Sequence, residues 1–139
     1  MALSDDLERA AAAAGAHGAV TAVLAAEPVD GARRYVVALA DGDERRWIVL
    51  DTEGRPVTRR EDVRDAASIA AMCEVAADVA DGLGIPVAAA PRVASPGFLD
   101  DVGAAGAGNQ EFTGALRAGT GAVQEFVREV ERGYALPLR

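Results

Sequence analysis

His17 and Cys73 are the only histidine and the only cysteine of this sequence, and all 14 basic residues are arginine. Those counts decide much of the available chemistry. A Ser-His-Asp or Cys-His arrangement would have to use His17. It stands in "GAHG", between a helix-like and a strand-like segment, where a polar residue at a helix C-terminus has a structural use. Zinc needs several convergent His, Cys or carboxylate ligands, and one histidine with one cysteine falls short of that within one chain. Oxygen-only metal sites stay formally open. The absence of lysine removes a Walker-type phosphate lysine, a Schiff-base lysine and a lysine general base.

The remaining chemical signals each have a plainer structural reading. Cys73 follows Met72 on the apolar side of a helical segment, where free cysteines are usually buried. Glu74, Asp78 and Asp81 recur at helical spacing, and Asp100 adjoins Asp101. Paired carboxylates do acid–base work only in a cleft that shifts their pKa values, and a helical acidic ridge on an acidic protein is ordinarily a solvated face. The glycines at 103, 106 and 108 and at 119 and 121 do not match a phosphate loop: "GAAGAG" lacks the G-x-G-x-x-G spacing and "AGTGAV" lacks the lysine. They are read as a linker or as places of close helix packing. The sequence therefore leads to an expectation of no catalytic residues, no metal and no cofactor.

One constellation stands apart. "RRYVVALADGDERRWIVLD" (33 to 51) has two apolar runs around Asp41-Gly42, which fits a type I′ hairpin turn, with a four-residue Asp41–Glu44 loop as runner-up. Both give the same two faces. Tyr35, Val37, Leu39, Ile48 and Leu50 form one, expected to be the core side. Arg34, Val36, Ala38, Arg45, Trp47 and Val49 form the other, more apolar than a free sheet surface usually is. Three uses compete for it: cover by the C-terminal helix, a subunit or partner interface, where Trp and Arg are enriched, or a pocket for an acidic or aromatic small molecule. Trp47, Arg34, Arg45, Val36 and Val49 are thus the candidate binding or interface residues.

The chain of 139 residues fits one domain, residues 1–139, with a real core. Half of it is hydrophobic, but Ala dominates that half and aromatics are only 4%, so large side chains are concentrated at few places. The net charge of −8 opposes nucleic-acid binding, since phosphates must be neutralised against the protein's own field. A lone cysteine allows no intrachain disulfide and fits a reducing compartment. Asp5, Asp6 and Glu8 occupy positions where a signal peptide is positive, and no window approaches the ~20 apolar residues of a membrane helix. A soluble cytoplasmic protein without nucleic-acid or membrane partners is expected.

The elements that must position these residues read as follows. Ser4 with Asp5 and Asp6 predicts an N-cap and a helix to about Ala14, ended by Gly15 or Gly18. Residues 19 to 27 read as a strand, and the opening of the hairpin at 33 to 51 supplies two more. "TRRE" (58 to 61) reads as a capping box with Thr58 as cap and Glu61 reaching back. The helix after it runs to about Asp81, with Ile69, Met72, Ala76, Val79 and Leu83 as its buried stripe. Residues 84 to 97 form a Pro-punctuated connection, in which Ser95-Pro96 starts a short helix. From Asn109 on, Phe112, Leu116, Gly119, Val123, Phe126 and Val130 alternate four and three. That regularity favours one long helix to about Arg132 over two split at "AGTG", with Gly119 letting another element approach.

The fold expected is α+β: an N-terminal helix, a three-stranded antiparallel meander, then helices packed on the sheet, mainly on one face. The function expected is non-enzymatic, through self-association or protein–protein interaction, most simply as a homodimer. The alternative is a small-molecule binding domain for an acidic or aromatic ligand on the Trp47/Arg face.

Overall fold

The computed structural model describes residues 3–28, 30–87 and 91–139. The element order is α1 (Leu3–Ala14), β1 (Ala19–Ala26), β2 (Arg34–Asp41), β3 (Glu44–Leu50), α2 (Arg60–Gly82), α3 (Pro96–Ala105) and α4 (Gln110–Arg132). The strands form one antiparallel sheet in the order β1-β2-β3. This is the α+β arrangement that the sequence pattern implies.

The β2–β3 register pairs Asp41 with Glu44, Ala38 with Trp47 and Tyr35 with Leu50. The loop is therefore Gly42-Asp43. Gly42 alone adopts a positive φ (64°), so the type I′ turn, which needs two such residues, gives way to one with glycine in its first central position. The two faces come out as the alternation dictates. Tyr35, Val37, Leu39, Ile48 and Leu50 pack against Ala10 and Ala14 of α1. Val36, Ala38, Trp47 and Val49 pack against Val63, Ala66 and Ala67 of α2 and Val130 of α4.

Both faces of the sheet are thus covered, where helices mainly on one face were expected. The cause is visible in α2. Seven of its ten buried residues are alanine, and these small side chains let the helix lie close to the sheet, α3 and α4 at once. The narrow stripe expected along α2 fails for the same reason: burial extends around much of the helix, and Met72 projects outward, 43% exposed. Cys73, its neighbour, is buried. Glu74, Asp78 and Asp81 are exposed, as a solvated ridge should be.

Helix ends follow capping chemistry with two corrections. α1 begins at Leu3, which puts Ser4 inside the helix rather than at its cap. The N-cap of α2 is Arg59, with no side-chain cap hydrogen bond; Glu61 pairs with the Arg59 guanidinium at 2.7 Å instead of reaching back to Thr58. Ser95 does cap α3, its Oγ accepting from the Phe98 N–H at 3.3 Å, with Pro96 in the first turn. Asn109 caps α4 by accepting from the Phe112 N–H at 3.1 Å. α4 is one helix of 23 residues, unbroken at "AGTG". At Gly119 a Cβ would collide with the Val75 side chain, so this glycine allows α4 to approach α2.

The caps give a direct contrast. Asn109→Ala should lower unfolding stability by about 1 kcal/mol, the usual value of a lost N-cap. Thr58→Ala should stay within about 0.5 kcal/mol of wild type. Urea midpoints at constant slope measure both, and a larger loss from Thr58→Ala would restore the capping box.

Candidate functional site

β3, an edge strand, carries Trp47 on the sheet's second face, and the sequence after α4 returns to hold it there. The Trp47 N–H donates to the Gly133 carbonyl at 2.8 Å, and the Ala135 N–H donates to the Trp47 carbonyl at 2.7 Å. The chain end thereby adds to β3 as a short parallel bridge at Tyr134. The tail continues along the edge to a pair of backbone bonds, Arg139 N–H to Thr58 O at 2.7 Å and Arg60 N–H to Arg139 O at 3.0 Å. Tyr134 turns its hydroxyl inward, donating to the Val57 carbonyl and accepting from the Val49 N–H at 3.3 Å. Burial raises the Tyr134 pKa above its ordinary value, partly opposed by the Val49 backbone bond.

The five candidate residues fall into two groups. Val36, Trp47 and Val49 are interior, with Trp47 3% exposed. Phe126 of α4 meets the indole edge-on, with centroids 5.2 Å apart at 79°. The two arginines flank the covered patch. Arg45 places its guanidinium 5.7 Å from the Trp47 ring centroid and 4.0 Å from Glu129. Arg34 is held at the opposite end by Asp30 at 3.1 Å and Asp62 at 3.9 Å. Cover by the chain's own α2 and C-terminal helix is the use this geometry makes of the face. The indole Nε1 has no hydrogen-bond partner.

A second feature was not legible beforehand. α2, α3 and α4 enclose an open hollow of about 460 Å³ whose walls include Met72, Val75, Leu99, Phe112, Leu116 and Val123. Its polar contributions come from Ser68, Thr120 and Gln124, and no charged side chain lines it. Ser68, Met72 and Leu99 also line an adjoining hollow of about 320 Å³, which reaches Asp30 and Asp65. Together they make an elongated apolar groove with an acidic end. The only sequence signal was the mismatch between Met72 and the buried alanines around it, which periodicity alone reads as core.

A hollow of about 780 Å³ lies beneath α1 and is lined by charged groups. Four of these are paired, Arg33 with Glu27 at 2.7 Å and with Asp6 at 3.5 Å, and Asp6 also with Arg9, while Asp51 and Glu53 add to the acidic lining. Among the described residues no group of three or more His, Cys, Asp or Glu side chains could hold a metal ion. Burial pushes the Cys73 thiol above its ordinary pKa, and it donates to the Ser95 carbonyl at 3.6 Å. A thiol in that state is a poor nucleophile. No helix among the described residues is long and apolar enough to cross a membrane.

Gly133 is where sequence identity most tightly constrains the Trp47 assembly. A Cβ there would sit 2.9 Å from the Arg45 carbonyl oxygen and 3.1 Å from the indole Cδ1. Gly133→Ala should therefore cost about 1–3 kcal/mol, the scale of overpacking in a closed site. An unchanged thermal midpoint would show that the tail is not pressed against β3. Compared with protein-family models, curated proteins and solved structures, the chain matches none.

Proposed function

We propose that this protein works by association with other chains and with a second copy of itself, and not by catalysis. The observation that supports this reading best is the elongated groove between α2, α3 and α4. Met72, at its rim, is the large apolar side chain that the fold leaves exposed among the described residues. Apolar surface set in a concavity and rimmed by polar residues is the usual mark of a binding site. The charges indicate the partner. The walls around Met72 and Leu116 are neutral, the far end carries Asp65 beside the Arg34-paired Asp30, and the whole chain has a net charge of −8. An amphipathic helix with an apolar stripe and basic flanks matches all three features, by the helix-in-groove mode of recognition.

A neutral apolar small molecule is the second reading. It is favoured by the hollow's volume, which lies in the ~300–1,000 Å³ range of ligand pockets. The acidic or aromatic ligand envisaged over Trp47 has less support, because Phe126 and α4 occupy the space above the ring.

An amphipathic peptide of leucine and lysine tests the first reading by calorimetry. Wild-type protein should bind it, and Met72→Glu should weaken binding at least tenfold, about 1.4 kcal/mol. The substitution makes the chain more acidic, so general attraction to lysine would tighten binding rather than weaken it. Equal or tighter binding by Met72→Glu would contradict the groove. Saturable binding of a neutral dye such as Nile red, with no heat of peptide binding, would favour the small molecule.

A further inference from the structure

The two edges of the sheet are finished differently. Along β3 the edge is closed: beyond the bonds of Trp47 to Gly133 and Ala135, the Val57 N–H donates to the Val49 carbonyl at 2.6 Å and the Asp51 N–H to the Arg55 carbonyl at 2.9 Å. Along β1 only one end is closed. The Ala94 N–H donates to the Ala25 carbonyl at 2.9 Å, and the Glu27 N–H donates to the Ala94 carbonyl at 2.8 Å. From Ala19 to Leu24 this outer edge has no backbone partner among the described residues. Since alternate residues of a strand point their N–H and C=O groups the same way, the bonds at Ala25 and Glu27 put those of Val23 on the open side too.

An open edge is a template for another strand, and proteins usually blunt it with charges or proline. β1, "AVTAVLAA", has neither. Its one blunting feature is the bulge between Val20 and Ala22, where Thr21 ties its hydroxyl back to the Ala38 carbonyl at 3.3 Å, and the regular edge beyond it, at Val23, stays open. Ala19, Thr21 and Ala22 are exposed and small, leaving room for a neighbour at the ~4.8 Å spacing of a sheet.

We infer that two copies of this chain join edge to edge through β1, antiparallel about a two-fold axis near its middle, into one six-stranded sheet. This rests on the self-association half of the function proposed above and names its surface. Electrostatics selects the partner. Two copies of charge −8 repel, and at physiological salt the repulsion is confined to charges within about 8 Å of the contact. Ala10 to Ala26 is the longest stretch of the sequence without Asp, Glu, Lys or Arg, so β1 itself brings no like charge to the contact. The first acid beyond it, Glu27, is already paired with Arg33. An antiparallel pair about a two-fold axis also gives each copy the same hydrogen bonds, the self-complementarity that a symmetric dimer requires.

Sedimentation velocity across the micromolar range tests the pairing, with Ala22→Glu and Met72→Glu beside wild type. Wild type should sediment at twice the 14.2 kDa chain mass. Ala22→Glu, which sets carboxylates of two copies close together at an exposed position, should weaken association at least tenfold, and Met72→Glu should leave the dimer intact. A wild-type monomer at every concentration would overturn the inference while leaving peptide binding in the groove to be judged by itself. A dimer that survives Ala22→Glu but not Met72→Glu, or one that survives both, would remove the interface from β1. Should Ala22→Glu fail to fold, hydrogen exchange on wild type decides: the Val23 amide should exchange more slowly as protein concentration rises, and a rate independent of concentration would overturn the pairing.

Discussion

Enclosure of Trp47 is the constraint on which the other features depend. Its ring lies between the sheet and α4, and its two backbone groups fix the residues that follow α4. That places a large apolar surface in a domain otherwise rich in alanine. The edge-on contact with Phe126 contributes about 0.5–1.5 kcal/mol beyond area burial. The cost is an indole N–H without a partner, about 1–3 kcal/mol for a buried donor. Enclosure also distributes what remains open. With α4 seated on the second face and the tail on the β3 edge, the groove beside Met72 and the outer edge of β1 are left uncovered.

Charge reinforces this arrangement without holding it together. Arg60 and Arg64 of α2 both reach Glu131 of α4, and Arg45 of β3 reaches Glu129. These pairs tie the elements that enclose Trp47, but the arginines are about half exposed, and such pairs contribute about 0–1 kcal/mol each. Their larger effect is on surfaces. The surplus of acids over arginines gives the chain a net charge of −8, so uncharged patches are where contact with another acidic chain is least opposed.

Much of the fold was legible because its signals were local. The two faces of the hairpin followed from alternation, which separated Leu39 and Ile48 from Val36 and Trp47 correctly, although the loop falls at Gly42-Asp43 and not at Asp41-Gly42. Ser95-Pro96 carried its capping chemistry in the sequence, and the four–three spacing from Phe112 to Val130 favoured one helix. What failed needed tertiary knowledge. Thr58 looks like a cap, but the helix starts one residue later, after Arg59. Met72 looks buried because hydrophobic spacing cannot tell which of several alanine faces a neighbouring helix will choose. The groove belongs to three helices at once, and the open edge of β1 depends on where Ala94 and the C-terminal tail come to rest. None of these is encoded in the spacing of any single segment.

One chain covers Trp47 with its own helix. Acrylamide quenching of the fluorescence of this sole tryptophan, followed through serial dilution, tests that most directly. The account predicts blue-shifted emission and slow quenching, both unchanged as the protein is diluted until any dimer has dissociated. Emission that moves to longer wavelength, with quenching that quickens on dilution, would mean that a second chain and not α4 covers the ring.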